Sequence, residues 1–289
     1  MSSVLQRLAD WTIFVFVVST MLTMGMSQAL ADVVAPLRKP LTVILALAAN
    51  FVAAPLLAVI LTRVVPLAPA HASGVLLIGT AAGAPFLPKL AALSRDNAAC
   101  SVALMVLLMG GSLLFMPLAV PWLVPGMNAN PAAIARPLLL FMVIPLAAGF
   151  ALALSRAAWI KPLLRVARVV SSAAFVLLIV LMIALNFATI VSAVGSFAIG
   201  TYALYLLLLA GIGHLAGAFD RDRQRIFALA TASRNIPAAL VVAGASQDDR
   251  AIAATLVVAF VVSLVVLLPL ARAMRAAERH VRSGERLAA

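Results

Sequence analysis

Cysteine, acidic residues and aromatic residues are all scarce in this chain of 289 residues. The single cysteine, Cys100, permits neither an intramolecular disulfide nor a thiolate metal site. Charged residues make up 10% of the chain, whereas 65% of it is hydrophobic and the mean hydropathy is +1.17. Such a composition lies far outside that of soluble globular domains. We therefore predict an all-α polytopic membrane protein that is surrounded by the lipid bilayer.

Motifs for catalysis are absent as well. The sequence has no nucleophile–base pair, no cluster of metal ligands and no glycine-rich phosphate loop, so we expect no enzyme, no cofactor and no bound metal. The net charge of +12 would suit a nucleic-acid partner. However, the basic residues lie mostly between apolar segments, which is typical of membrane topology. We therefore expect no nucleic-acid partner.

Apolar segments long enough to cross a bilayer, about 20 residues each, follow one another along the chain. They lie at about 8–30, 39–64, 73–94, 98–122, 134–155, 166–194, 197–218, 224–245 and 250–274. The first resembles a cleavable signal peptide because Arg7 precedes its apolar run, but the basic pair Arg38 and Lys39 after the run favours an uncleaved span. No linker is long enough to separate two folded units, so we predict one transmembrane transporter domain over 1–289.

The loops between these nine spans differ in charge. If successive loops alternate sides, most of the 21 Lys and Arg residues, including the C-terminal arginines, fall on one side. The other side holds Arg7, Arg63, Arg136 and Arg250. Because positively charged loops stay in the cytoplasm, we expect an integral protein of the inner or plasma membrane with its N-terminus outside and its C-terminus in the cytoplasm.

The third span is interrupted by prolines next to a cation. It carries Gly83, Pro85, Pro88 and Lys89 within an otherwise apolar run. Two prolines three residues apart remove backbone donors and obstruct the preceding turn, so we predict a broken helix. A charge at membrane depth is tolerated where it faces protein or a water-filled cavity. Lys89 is therefore a candidate site residue, although it could also snorkel to the interface near Arg95.

The eighth span has a similar interruption, at Arg234, Asn235 and Pro237. Arg234 lies close to the middle of this span, where an unpaired charge is costly, so a functional or paired role is expected. The two broken spans run in opposite directions in the predicted topology. Broken helices at corresponding places in two halves are typical of an inverted-repeat secondary transporter, in which they cross near the centre of the protein.

Two sequence features point to a known family: the segment 93–103 after the first break, and Asn235 followed by small residues. With the nine spans and two breaks, they make nearly the whole chain resemble the bile acid:sodium symporter family, whose Glu-x-Gly-x-Gln-Asn signature ends at the position of Asn235. The resemblance implies a panel at about 8–30 and 134–194, and a core at about 39–122 and 197–274. It also implies that substrate binds in the cleft between panel and core, and that transport proceeds by alternating access.

The same comparison shows departures at the sodium ligands. The serine and asparagine that bind sodium in the family are Leu87 and Pro88 here, and the signature's glutamate and glutamine are Ala230 and Arg234. The next helix, which supplies hydroxyl ligands in the family, reads Met-Val-Leu-Leu-Met at 105–109. Sodium needs several oxygen ligands, so both sodium sites are expected to be lost and sodium is a doubtful partner.

The cations at the breaks suggest the substrate class. Lys89 and Arg234 near the crossing, together with helix ends, favour an anionic substrate group. The candidate substrate-binding residues are Lys89, Arg234, Asn235, Asn186 and Thr189. The last two lie three residues apart on the sixth span, a panel helix by the resemblance, although helix packing is an alternative role for them.

These observations predict a secondary transporter of small or amphipathic organic anions that is not coupled to sodium. Two alternatives remain. The first is a sodium-coupled symporter that uses displaced or backbone ligands. The second is a membrane sensor or assembly protein without transport activity.

Overall fold

The computed structural model describes residues 2–27, 30–94, 98–127, 130–155, 157–185, 187, 191, 193, 195–243 and 249–288. Regular structure in these residues is entirely helical, and eight helical segments, one of them interrupted at 233–235, are long and apolar enough to cross a membrane. The prediction of an all-α polytopic membrane protein is therefore confirmed.

Twelve helices account for the described part of the chain. The first six are α1 (Ser2–Ser27), α2 (Leu30–Leu37), α3 (Pro40–Val64), α4 (Pro69–Thr80), α5 (Leu87–Ser94) and α6 (Ala98–Leu123). The others are α7 (Pro131–Leu154), α8 (Ile160–Leu185), α9 (Ala198–Ala216), α10 (Arg221–Ala232), α11 (Ile236–Ala243) and α12 (Asp249–Ala288). Three of them start at a proline, which suits the first position because its missing amide hydrogen would have no partner there.

The predicted spans and the observed helices differ in three places. The third span, at 73–94, consists of α4 and α5, neither of which is long enough to cross a membrane alone. The sixth was predicted from 166, but α8 begins at Ile160, because its first turns carry basic residues that an apolar window excludes. The ninth was predicted to end at 274, whereas α12 continues to Ala288 through its arginine-rich end.

Helices α3 and α7 each contain one wide π-helical turn, at Ala49–Ala53 and Leu139–Val143. Each wide turn comes directly before a proline in the second position of the following helical segment, Pro55 or Pro145. A proline obstructs the turn before it, and a π-turn accommodates the mismatch by one extra residue. The turn in α3 carries Asn50, whose side chain is buried.

Helices α1, α7 and α8 pack together, and we call them the three-helix layer. Gly25 of α1 and Gly149 of α7 allow close backbone approach, since a Cβ on Gly25 would lie 2.8 Å from the Cα of Gly149. Thr20 and Ser171 join α1 to α8 by a hydrogen bond of 2.6 Å between their hydroxyl oxygens. In a membrane, small residues and interhelical hydrogen bonds supply much of the association energy.

The remaining transmembrane helices, α3 to α6 and α9 to α12, form a second group that we call the main bundle. Helix α9 packs on α10, and α12 packs on α4, α5 and α9. The hydroxyl of Tyr205 donates to the carbonyl of Ala54 at 3.1 Å, and that of Tyr202 donates to the carbonyl of His71 at 3.2 Å. These two buried hydroxyls attach α9 to α3 and α4, where each has a hydrogen-bond partner.

Candidate functional site at the helix crossing

The first break lies between α4 and α5. Helix α4 ends at Thr80, the chain has no regular secondary structure over 81–84, and Pro88 stands in the first turn of α5. Gly83 has φ +78°, and a Cβ at this position would lie 2.8 Å from the Cα of Met109 in α6. Glycine is required here because other residues rarely adopt this backbone conformation and would overlap the backbone of α6.

The second break, over 233–235, separates α10 from α11. The Oδ1 atom of Asn235 accepts a hydrogen bond from the backbone nitrogen of Ala238 at 3.1 Å and so caps α11. Pro237 is the second residue of that helix, where its missing amide hydrogen costs little. Asn235 is therefore the N-cap residue of α11, in the middle of the eighth span.

The two breaks cross each other directly. The backbone nitrogen of Asn235 donates to the carbonyl of Ala81 at 2.8 Å, and its Nδ2 atom donates to the carbonyl of Gly83 at 3.2 Å. From α6, the hydroxyl of Ser112 accepts from the nitrogen of Ala82 at 2.8 Å and lies 3.0 Å from the carbonyl of the same residue. Unwound backbone at membrane depth needs such partners, because no water is available in hydrocarbon.

Arg234 is completely buried beside this crossing. Its Nε and Nη2 atoms donate to the carbonyls of Ile78 and Gly79, both at 2.8 Å. Its Nη1 atom donates to Oδ1 of Asn50 at 2.8 Å and to the carbonyl of Thr231 at 3.3 Å. The guanidinium thus binds the last carbonyls of α4, where the helix dipole favours a positive charge.

Asn50 is held in place by two further contacts. Its Nδ2 atom donates to the carbonyl of Ala46 at 3.0 Å and to the hydroxyl of Thr231 at 3.3 Å, so its oxygen faces Arg234. The wide turn of α3 therefore supplies one of the four oxygens around the guanidinium. Such π-turns frequently occur at functional sites.

Lys89 lies elsewhere, at the contact between the main bundle and the three-helix layer. Its side chain is half-buried, and its Nζ atom stands 4.7 Å from the ring centre of Phe175 in α8 and 5.9 Å from that of Phe16 in α1. These are cation–π contacts. Of the two cations expected near the crossing, Arg234 donates hydrogen bonds to backbone carbonyls there, whereas Lys89 contacts rings of the three-helix layer.

A cavity of about 400 Å³ separates α1 and α7 from α11 and α12. It is lined by Asp10, Ile13, Phe14, Val17, Pro137, Leu138, Phe141, Met142, Pro237, Ala238, Leu240, Val241 and Ala253. Among these lining residues Asp10 alone is charged. A void of about 10 Å³ that includes Asn235 and Ser112 shares three of the lining residues, so the cavity extends toward the crossing.

One comparison with known proteins is positive. The sodium bile acid symporter family matches residues 12–193, which is more than half of the chain. The chain belongs to this family. No curated protein matches it. The match spans the region from α1 to α8 and includes the first break, whereas Arg234 and the second break lie beyond it.

Family membership makes the chain a transmembrane transporter, related to symporters of bile acids and sodium, and eight of its helical segments are long and apolar enough to cross the membrane. Members of the family are transporters rather than enzymes.

The residues proposed from the sequence fall into three places. Arg234 and Asn235 meet at the crossing, Lys89 contacts the layer, and Asn186 and Thr189 lie outside the described residues. The sequence reasoning did not assign roles to five other residues: Asn50, Ser112, Asp10, Phe16 and Phe175. For Asn50 and Ser112 a signal existed, since each is a polar side chain within an apolar span. Phe16 and Phe175, the aromatic partners of Lys89, are apolar residues in apolar spans, so nothing in the sequence distinguishes them from their neighbours.

Proposed function

We propose that the protein is a secondary transporter of amphipathic organic anions and that it works without sodium. The observation that carries this proposal is the position of the Arg234 guanidinium, which is completely buried and hydrogen-bonded to four oxygen atoms at the helix crossing. The transporter class follows from the family, and the independence from sodium is inferred from this cation and its surroundings.

The residues around the crossing do not fit a sodium ion. Sodium needs a shell of oxygen ligands, and the carbonyls of Ile78 and Gly79 are already used by Arg234. Leu87 and Ala230, which stand where the family has a serine and a glutamate, are buried apolar side chains. A fixed guanidinium also repels a second cation at short range in a medium of low dielectric constant. Arg234 can therefore fill the electrostatic role of a bound ion.

Alternating access requires two bodies that move relative to each other. We assign the three-helix layer to the panel, at about 8–30 and 134–194, and the main bundle to the core, at about 39–122 and 197–274. The cavity supports this division, because α1 and α7 of the layer line one side and α11 and α12 of the bundle line the other. The charge of the loops supports an N-terminus outside and a cytoplasmic C-terminus.

The substrate is proposed from the charges beside the cavity. The largely apolar lining of the cavity suits a substrate with an apolar body. The cavity volume lies within the usual range of about 300–1,000 Å³ for ligand sites. Asp10 disfavours an anion at its own end of the cavity. Lys89 supplies a positive charge in the same interface, so an amphipathic anion would bind with its charged group directed away from Asp10.

A screen of the purified protein against organic acids tests the function. At a concentration of about 100 times its Kd, a ligand adds about 2.7 kcal/mol to the free energy of unfolding, so an amphipathic acid should raise the Tm clearly. The rise should be equal in sodium and in choline buffer, and uptake of that acid into proteoliposomes should not depend on sodium. Saturable sodium dependence would support backbone ligands, and a screen without any binding acid would favour the sensor alternative.

Replacing Asp10 should change the preference for charge. We expect Asp10→Asn to strengthen binding of an organic acid about two- to fivefold, because an exposed charge acts through solvent of high dielectric constant. Asp10→Glu keeps the charge and should bind as the unmodified protein does. The measurement is the Kd from titration calorimetry at low ionic strength. Weaker binding of the acid in Asp10→Asn would show that the carboxylate does not repel the substrate, and the anionic group would then not be directed away from Asp10.

A further inference from the structure

Lys89 has two aromatic partners and, in the part of the chain that the structure describes, no ion pair with a carboxylate. Its Nζ atom lies 4.7 Å from the ring centre of Phe175 and 5.9 Å from that of Phe16. A lysine that only snorkelled would direct its charge to the membrane surface. Here the Lys89 ammonium group instead contacts two aromatic rings of the three-helix layer.

The rings belong to a cluster that joins both bodies. Phe175 also packs edge-on against Phe260 of α12, with 6.3 Å between ring centres. Its ring is tilted against that of Phe16, with 5.2 Å between ring centres. Phe16 and Phe175 lie in the layer, whereas Lys89 and Phe260 lie in the main bundle. We call these four residues the aromatic latch, since the contacts across it connect the two bodies.

The residues of the aromatic latch do not line the cavity, but two of them lie close along the chain to residues that do. On α1, Phe16 follows the lining residue Asp10 by six residues, about 9 Å along the helix axis, and directly precedes the lining residue Val17. On α12, Phe260 follows the lining residue Ala253 by about two turns and therefore occupies the same face. On both helices the latch is thus displaced along the axis from Asp10 or Ala253, and on α1 it lies level with the lining residue that is farthest from Asp10 along the helix, Val17.

We propose that Lys89 is the receptor for the anionic group of the substrate and that its ring contacts keep the two bodies closed until that group displaces them. The proposal rests on the proposed function. A cation over an aromatic ring is held more weakly than a cation paired with a carboxylate in the same low-dielectric surroundings. The anionic group of the substrate therefore pairs with Lys89 in place of the rings. The three-helix layer is then free to move relative to the main bundle.

The closing role is tested without any ligand. In a Cys100→Ala background, Val257→Cys places a reporter on α12 between Ala253 and Phe260, at a position that is now buried. Its rate of labelling by N-ethylmaleimide reports opening. We expect Lys89→Met and Phe175→Leu each to raise this rate about tenfold, which corresponds to the loss of about 1.4 kcal/mol of cation–π interaction.

Two variants are controls for the labelling experiment. Lys89→Arg keeps a cation over the rings and should label as slowly as the unmodified latch. Lys161→Met removes an exposed cation at the start of α8 and should also leave the rate unchanged. Equal rates in Lys89→Met, Phe175→Leu and the control variants would overturn the closing role.

The receptor role is tested with cholate and its uncharged amide as probes, in lipid nanodiscs. We expect Lys89→Met to bind cholate at least about tenfold more weakly and to bind the amide as before, and Lys89→Arg to restore cholate binding. Equal binding of cholate by Lys89→Met and the unmodified protein would overturn the receptor role while leaving the proposed function intact. If the unmodified protein binds neither cholate nor any other acid, the proposed function fails, and the labelling rates still decide on the latch.

Discussion

Arg234→Ala is expected to abolish transport and to lower the free energy of unfolding by about 3 kcal/mol or more. The change leaves the carbonyls of Ile78 and Gly79 and the amide oxygen of Asn50 without their donor. Each buried acceptor without a partner costs about 1–3 kcal/mol. Unfolding in urea or by heat measures the stability, and uptake of the acid found in the screen measures the transport.

Two further variants show whether the effect depends on geometry or on charge. Arg234→Lys keeps the charge but lacks the planar set of donors, so we expect it to retain part of both properties. Arg63→Ala removes an exposed arginine at the end of α3 and should change the stability by less than about 0.5 kcal/mol. If Arg234→Ala is as stable and as active as Arg63→Ala, the fixed cation does not hold the crossing together.

Gly83→Ala is expected to have the second largest effect, a loss of about 3 kcal/mol in the free energy of unfolding or a failure to fold. A positive φ costs a residue with a Cβ about 1–2 kcal/mol. The new Cβ would also lie 2.8 Å from the Cα of Met109, and backbone atoms of a packed helix yield little. The measurement is the Tm of the purified protein, together with the yield of monodisperse protein.

The matched control is Gly110→Ala, in the helix that Gly83 contacts. Among the described residues no side chain or neighbouring helix lies within 4 Å of a Cβ at Gly110, so the substitution meets open space. Alanine is favoured over glycine in a helix by about 1 kcal/mol, so this variant should be as stable as the unmodified protein or more stable. Equal stability of Gly83→Ala and Gly110→Ala would show that the crossing tolerates a side chain.

A tethered cation has a consequence for the energetics of transport. A bound sodium ion leaves on one side of the membrane and so couples its gradient to the substrate. Arg234 cannot dissociate, and the proposed carrier therefore has no sodium gradient to use. Its flux would follow the gradient of the substrate alone, or would exchange one anion for another, which counterflow of labelled substrate in proteoliposomes measures directly.

The sequence by itself determined the helices and the breaks. Residues 73–94 and the run from Arg234 to Pro237 contain prolines that no continuous helix accommodates without loss of hydrogen bonds, and the structure interrupts the helices there. Long apolar segments can only be helices when they cross a bilayer, so the class of fold also followed from composition. Both results depend on the local properties of residues, namely proline positions and runs of apolar side chains, and these can be read directly from the sequence.

Tertiary structure decided what the polar residues touch. Arg234 and its partner Ile78 lie 156 positions apart in the sequence, and no local pattern indicates which carbonyls a buried guanidinium will meet. Lys89 looked equivalent to Arg234 in the sequence, as a cation beside a broken helix, yet it contacts two rings of another group of helices. The reason is physical: hydrogen bonds and cation–π contacts act over a few ångströms, and only the packing of helices distant in the chain brings their partners within that range.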